Sequence, residues 1–101
     1  MMIRHIIIWK LQDKCFGPNL DSIKASMKAR LEEVNGQTPG LKNLEVHGDC
    51  LRSSNGDIVL EAVFDDEEAM KNFKLSDMWK AATKEAVVPF IADATHVEYE
   101  F

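Results

Sequence analysis

Few side chains in this sequence could do chemistry, and His5 is the first of them. It sits in Ile3-Arg4-His5-Ile6-Ile7-Ile8-Trp9-Lys10-Leu11, an isoleucine-rich run that reads as a strand, so alternate residues share a face. Ile3, His5, Ile7, Trp9 and Leu11 fall on one side, and Ile6 and Ile8 on the other. In so apolar a row, burial disfavours the charged imidazole and suits it to act as a general base or hydrogen-bond donor in a cavity. The same position also fits a core histidine whose ring nitrogens bond to neighbouring groups. Trp9, Phe73, Trp79 and Tyr99 are the candidates to line such a cavity, because ligand sites are mostly apolar with few polar groups. Plain core packing is their alternative use. Tyr99 is the only tyrosine and would bring a hydroxyl.

The remaining reactive residues point away from other chemistries. His47 and His96 fall on polar faces of alternating segments and are expected to be exposed. No grouping of His, Cys or carboxylates has a metal-ligand spacing, so no metal is expected. Asp65-Asp66-Glu67-Glu68 reads as the start of a helix, where carboxylates are favoured, rather than as a cation site. There is no GxGxxG, P-loop or GxSxG, and no cofactor is expected. Cys15 and Cys50 form no CxxC; neither has a neighbour marking it as a nucleophile. Both are expected to be free thiols in a reducing cytoplasm.

The elements that must position these residues follow from the apolar periodicity. With 101 residues, 46% hydrophobic and 29% charged, the chain is expected to form one domain over residues 1–101. A helix is predicted over 20–35 from Leu20, Ile23, Met27, Leu31 and Val34, with Asn19 and Gly36 at its ends. Residues 41–51 alternate as a half-exposed strand, and Ser53-Ser54-Asn55-Gly56, with its Asn-Gly hairpin signal, reads as the turn into a second strand over 57–64. That strand, like the first, is apolar on both faces, the pattern of a strand inside a sheet. A helix opens at Asp65, Ser76 caps a second helical piece that runs to about Val88, and a last strand spans 94–101.

The order β-α-β-β-α-β is an α+β, ferredoxin-like arrangement with a four-stranded antiparallel sheet, in which the first and third strands are central. Right-handed crossovers put both helical segments on one face of the sheet. The other face keeps apolar residues, and an identical sheet is its economical cover, giving a homodimer. A net charge of −5 with no basic run argues against nucleic acid or a membrane surface as partner. No apolar run approaches the roughly 18 residues that span a bilayer, and no cleavage site follows the N-terminal run.

Taken in order, Ile3 to Leu11, Pro39-Gly40-Leu41-Lys42-Asn43-Leu44-Glu45-Val46, Asp57-Ile58-Val59-Leu60 with Phe64, and Val97-Glu98-Tyr99-Glu100-Phe101 resemble the stress-responsive α/β-barrel (Dabb) family. The resemblance implies a dimeric α/β barrel with a cavity between sheet and helices in each subunit. Most members of the family have no known activity. The best understood is a plant polyketide cyclase that closes a ring by cofactor-free aldol chemistry, using a first-strand histidine and a His-Pro-x-His segment. His5 matches the first histidine. The His-Pro-x-His segment falls on Ser76-Asp77-Met78-Trp79, and the family's pocket tyrosine falls on Phe73, so that cyclase chemistry is not expected here. The resulting expectation is a cytoplasmic homodimer with an apolar cavity for a hydrophobic or aromatic metabolite, His5 being its acid-base group. The alternatives are a non-enzymatic, stress-associated protein whose cavity is filled by Phe73 and Trp79, and a cofactor-free monooxygenase.

Overall fold

The computed structural model describes residues 1–101. Four strands, β1 (Ile3–Leu11), β2 (Leu41–His47), β3 (Ile58–Phe64) and β4 (Ile91–Glu100), form one sheet with three helices, α1 (Leu20–Glu32), α2 (Glu67–Leu75) and α3 (Asp77–Ala86). The strand order is β2-β3-β1-β4 and every neighbouring pair is antiparallel. The two strands that are apolar on both faces, β1 and β3, are therefore the central ones, as the sequence predicts. This is the ferredoxin-like fold.

The helix-covered face carries the core. Ile3, His5, Ile7, Trp9 and Leu11 of β1 are all buried, and so are Ile58, Leu60, Ala62 and Phe64 of β3. Met27 and Leu31 of α1, Met70 and Phe73 of α2, and Trp79, Ala82 and Ala86 of α3 close over them. The opposite face has no helix. There the β1 register sets Ile8 between Val59 and Thr95, and Ile6 between Glu61 and Val97.

Helix starts follow the capping residues. Asp66 accepts from the Ala69 amide at 2.8 Å to open α2, and Ser76 Oγ accepts from the Trp79 amide at 3.2 Å to open α3. Asn19 differs from expectation. Its side chain makes no cap bond, and only its carbonyl enters α1, accepting from the Ile23 amide. The α1 helix also stops at Glu32 rather than at residue 35, because Asn35 is drawn to the sheet. Its side-chain amide donates to the Leu44 carbonyl at 2.8 Å and its oxygen accepts from the Leu44 amide at 2.9 Å.

That pairing belongs to a longer set along the free edge of β2. Glu32 accepts from the Val46 amide at 2.9 Å, Lys28 donates to the Val46 carbonyl at 2.8 Å, and Lys24 donates to the Gly48 carbonyl at 2.9 Å. Side chains of α1 and the turn after it thus take the place of a neighbouring strand. On β4, the other edge strand, side chains reach the backbone only at the Ile91 carbonyl, from Gln12, and at the Ala94 amide, from Asp93.

The Asn55-Gly56 turn is a correction. The first strand of the pair ends at His47 rather than at residue 51 and the next begins at Ile58, so a loop over 48–57 replaces the expected turn at Ser53 to Gly56. Gly56 also lacks the positive φ of a tight Asn-Gly hairpin. Gly56 serves close approach instead: a Cβ there would lie 2.5 Å from Ile8 Cγ2. Gly40 combines both needs, with φ 80° and a would-be Cβ 2.5 Å from Ala69 Cβ. The last strand begins earlier than expected, at Ile91, with a register shift opposite Lys10 and Leu11.

Candidate functional site

His5 is the only buried polar or charged residue, 1% exposed. The antiparallel register sets Glu98 of β4 directly beside it, on the helix-covered face. Glu98 Oε2 lies 2.7 Å from His5 Nδ1, a short contact that is not aligned as a hydrogen bond, and Nδ1 makes no other. The same carboxylate oxygen accepts from Lys74 Nζ at 2.8 Å. Lys74 projects from the last turn of α2, so three elements, β1, β4 and α2, meet at one carboxylate. His96, two residues before Glu98 and therefore on the same face, brings its ring centroid to 5.9 Å from that of His5.

The electrostatics follow from this geometry. Burial lowers the His5 pKa below its ordinary 6.5, outweighing the opposite pull of Glu98, and the Lys74 and His96 charges add to the lowering. Glu98 is held below its ordinary 4.5 chiefly by the hydrogen bond from Lys74. At neutral pH the centre therefore holds a neutral imidazole against an ionised carboxylate.

A cleft of about 270 Å³ opens beside this centre, lined by Ile3, Glu67, Met70, Glu98, Tyr99 and Glu100. Glu98 is common to the cleft and to the His5 contact. A larger hollow, about 380 Å³ on the helix-free side under the 48–57 loop, offers no ionisable side chain except Cys50. Cys50 is exposed, Cys15 is buried, and both are free. No group of three or more metal-binding side chains gathers anywhere in the chain, and no helix is long and apolar enough to cross a membrane.

The candidate residues named from sequence do not all meet. Trp9 is buried under the helices. Phe73 stacks between Phe64, at 5.2 Å, and Trp79, at 4.7 Å, and all three rings are core. Tyr99 stands apart from them: it pairs with Arg4 on β1 and so lies on the helix-free face, where Arg4 Nη1 donates to its hydroxyl at 3.3 Å. It borders the 270 Å³ cleft but shares no cavity with Trp9, Phe73 and Trp79. The cause is the edge position of β4. The apolar stripe Val97 and Tyr99 faces away from the helices, and the polar stripe His96 and Glu98 faces toward them.

Sequence reasoning missed Glu98 and Lys74 and set His96 aside as exposed. His96 is exposed, yet it faces His5. The one available signal was the β1–β4 pairing itself, which sets a carboxylate opposite a buried histidine.

Comparison with known proteins adds the family. The stress-responsive A/B barrel domain (Dabb) model matches residues 3–101. The chain belongs to the Dabb family. Among solved structures, a dimeric protein of unknown function from Bacteroides fragilis is 23% identical, with TM-score 0.88 over 99% of this chain and 96% of that one. A dimeric ferredoxin-like protein of unknown function from Thermobifida fusca is 24% identical, with TM-score 0.81 over 100% and 92%. A hydroxynitrile lyase from Passiflora edulis is 19% identical, with TM-score 0.70 over 97% and 91%. No curated protein matches the sequence. The likenesses establish a Dabb ferredoxin-like fold, shared by proteins without known function and by an enzyme.

Proposed function

We propose that this Dabb protein is a homodimer in which each subunit binds a small hydrophobic or aromatic molecule in the cleft beside Glu98, with His5 supplying cofactor-free acid-base chemistry. The observation that carries the reading is the 2.7 Å contact of the buried His5 with Glu98, a carboxylate that also walls a cleft. A buried histidine with a lowered pKa, coupled to a charged partner beside a concavity, has the physical marks of a functional site. Ile3, Met70 and Tyr99 supply the apolar part of the wall, and Glu67, Glu98 and Glu100 its charge. The carboxylates favour neutral or cationic ligands, such as phenols, β-keto compounds and amines, over aromatic acids.

The dimer is supported by the helix-free face, where Ile8, Val97 and Tyr99 are exposed on a sheet with no cover of its own. Apolar residues exposed on an uncovered sheet face are a mark of an interaction surface.

The test is an NMR titration of the full chain with phenols, β-keto compounds, amines and aromatic acids. Saturable shifts at His5, Met70, His96 and Glu98, strongest with non-acids, are the expected result. Turnover of any ligand so found should be lost in His5→Gln while the fold persists. Shifts that avoid these residues, or turnover unchanged in His5→Gln, would overturn the reading. One observation favours a second reading, a non-enzymatic protein with a filled core: Phe64, Phe73 and Trp79 occupy the space between sheet and helices. That reading gains if no compound perturbs the site.

A further inference from the structure

Resting on the reading of His5 as an acid-base group, we infer that Glu98 is its positioning residue, holding the imidazole as the Nδ1–H tautomer with Lys74 anchoring the carboxylate, so that Nε2 carries the free lone pair. A neutral imidazole has one ring N–H and one lone pair, and its partner decides which nitrogen has which. The partner here is a carboxylate oxygen already accepting from the Lys74 ammonium at 2.8 Å. An ionised carboxylate accepts only, so a nitrogen 2.7 Å from it is favoured as N–H even where the contact is not aligned as a hydrogen bond, whereas a lone pair there would be repelled. Nδ1 has no other partner to compete. The proton therefore resides on Nδ1, and Nε2 carries the lone pair.

Lys74 has a second role in this arrangement. By binding the same oxygen, it holds Glu98 where His5 meets it and offsets part of the charge that would otherwise stabilise an imidazolium. The charged and titratable groups that face His5 are Glu98 and His96 from β4 and Lys74 from α2. Of these, Glu98 alone favours the protonated ring. Burial, with Lys74 and His96 adding to it, keeps His5 a neutral base rather than a resident cation, and Glu98 orients it.

The experiment is long-range proton–nitrogen NMR of the unliganded, nitrogen-15-labelled protein at neutral pH, followed by pH titration. In the wild type, His5 should give a pyrrole-type Nδ1 and a pyridine-type Nε2. Glu98→Gln should shift the population toward Nε2–H and lower the titration midpoint, and Lys74→Met should keep the tautomer and raise the midpoint. A wild-type His5 found as Nε2–H, or a tautomer ratio that Glu98→Gln leaves unchanged, overturns the inference. The wild-type spectrum decides even if a variant fails to fold. The measurement uses no ligand, so a correct tautomer with no ligand response would defeat the proposed function while leaving the Glu98 role intact.

Discussion

At the residue scale, His5 couples folding to acid. Its pKa lies below 6.5 in the folded chain because burial opposes its charge, whereas the unfolded chain binds the proton near the ordinary value. Above that value both states are neutral at this site and pH has no effect. As pH falls below 6.5 the unfolded state takes up the proton first, and stability declines until the folded pKa is passed. One proton changes stability by at most about 1.4 kcal/mol per pH unit. Glu98, held below 4.5, adds a loss in the same direction at lower pH. Urea unfolding midpoints of the wild type should therefore fall between neutral pH and mild acid, and those of His5→Gln should stay nearly level across that window. Equal slopes in the two proteins would remove His5 as the cause. The place of His5 was legible from strand alternation alone. Its partner was not, because alternation within β4 says which residues share a face but not which face meets the helices. On an edge strand, Val97 and Tyr99 can be apolar and still look outward.

At the scale of elements, Ser76 is the joint between α2 and α3. Its hydroxyl donates to the Phe73 carbonyl at 2.7 Å and its oxygen accepts from the Trp79 amide at 3.2 Å, so one side chain ends a helix and starts the next. The two residues it touches are the stacked rings that fill the core. Ser76→Ala should cost about 1 kcal/mol, the ordinary value of an N-cap, in thermal or chemical unfolding. Ser76→Asp, which keeps an acceptor, should recover most of that loss. If alanine and aspartate behave alike, the cap contributes nothing measurable. This joint was visible in sequence because a cap is a local device, set by one residue and its next three. The Asn55-Gly56 turn was misread for the complementary reason. Gly56 is there because Ile8 of a distant strand crowds it, and spacing along the chain carries no trace of that contact.

At the scale of the whole molecule, the fold was legible because its two central strands announce themselves through apolar residues on both faces. The uncovered side of the sheet makes a further prediction. Val97 is 46% exposed beside Ile6, so Val97→Glu should leave the monomer fold intact while placing like charges face to face in a pair. Sedimentation should then report a dimer for the wild type and a monomer for the variant; a variant that remains dimeric would locate the interface elsewhere. The sheet's two borders differ as well. With Asn35, Glu32 and Lys28 bonded to the Leu44 and Val46 backbone of β2 and Lys24 to the Gly48 carbonyl just past it, that border offers an incoming strand less than β4 does. Edge-on joining of copies is favoured at β4, and two sheets joined through β4 would expose β2 at both ends. Growth beyond a pair would then have to use the side-chain-covered β2 border, which works against runaway fibril stacking, the standing hazard of open sheet edges.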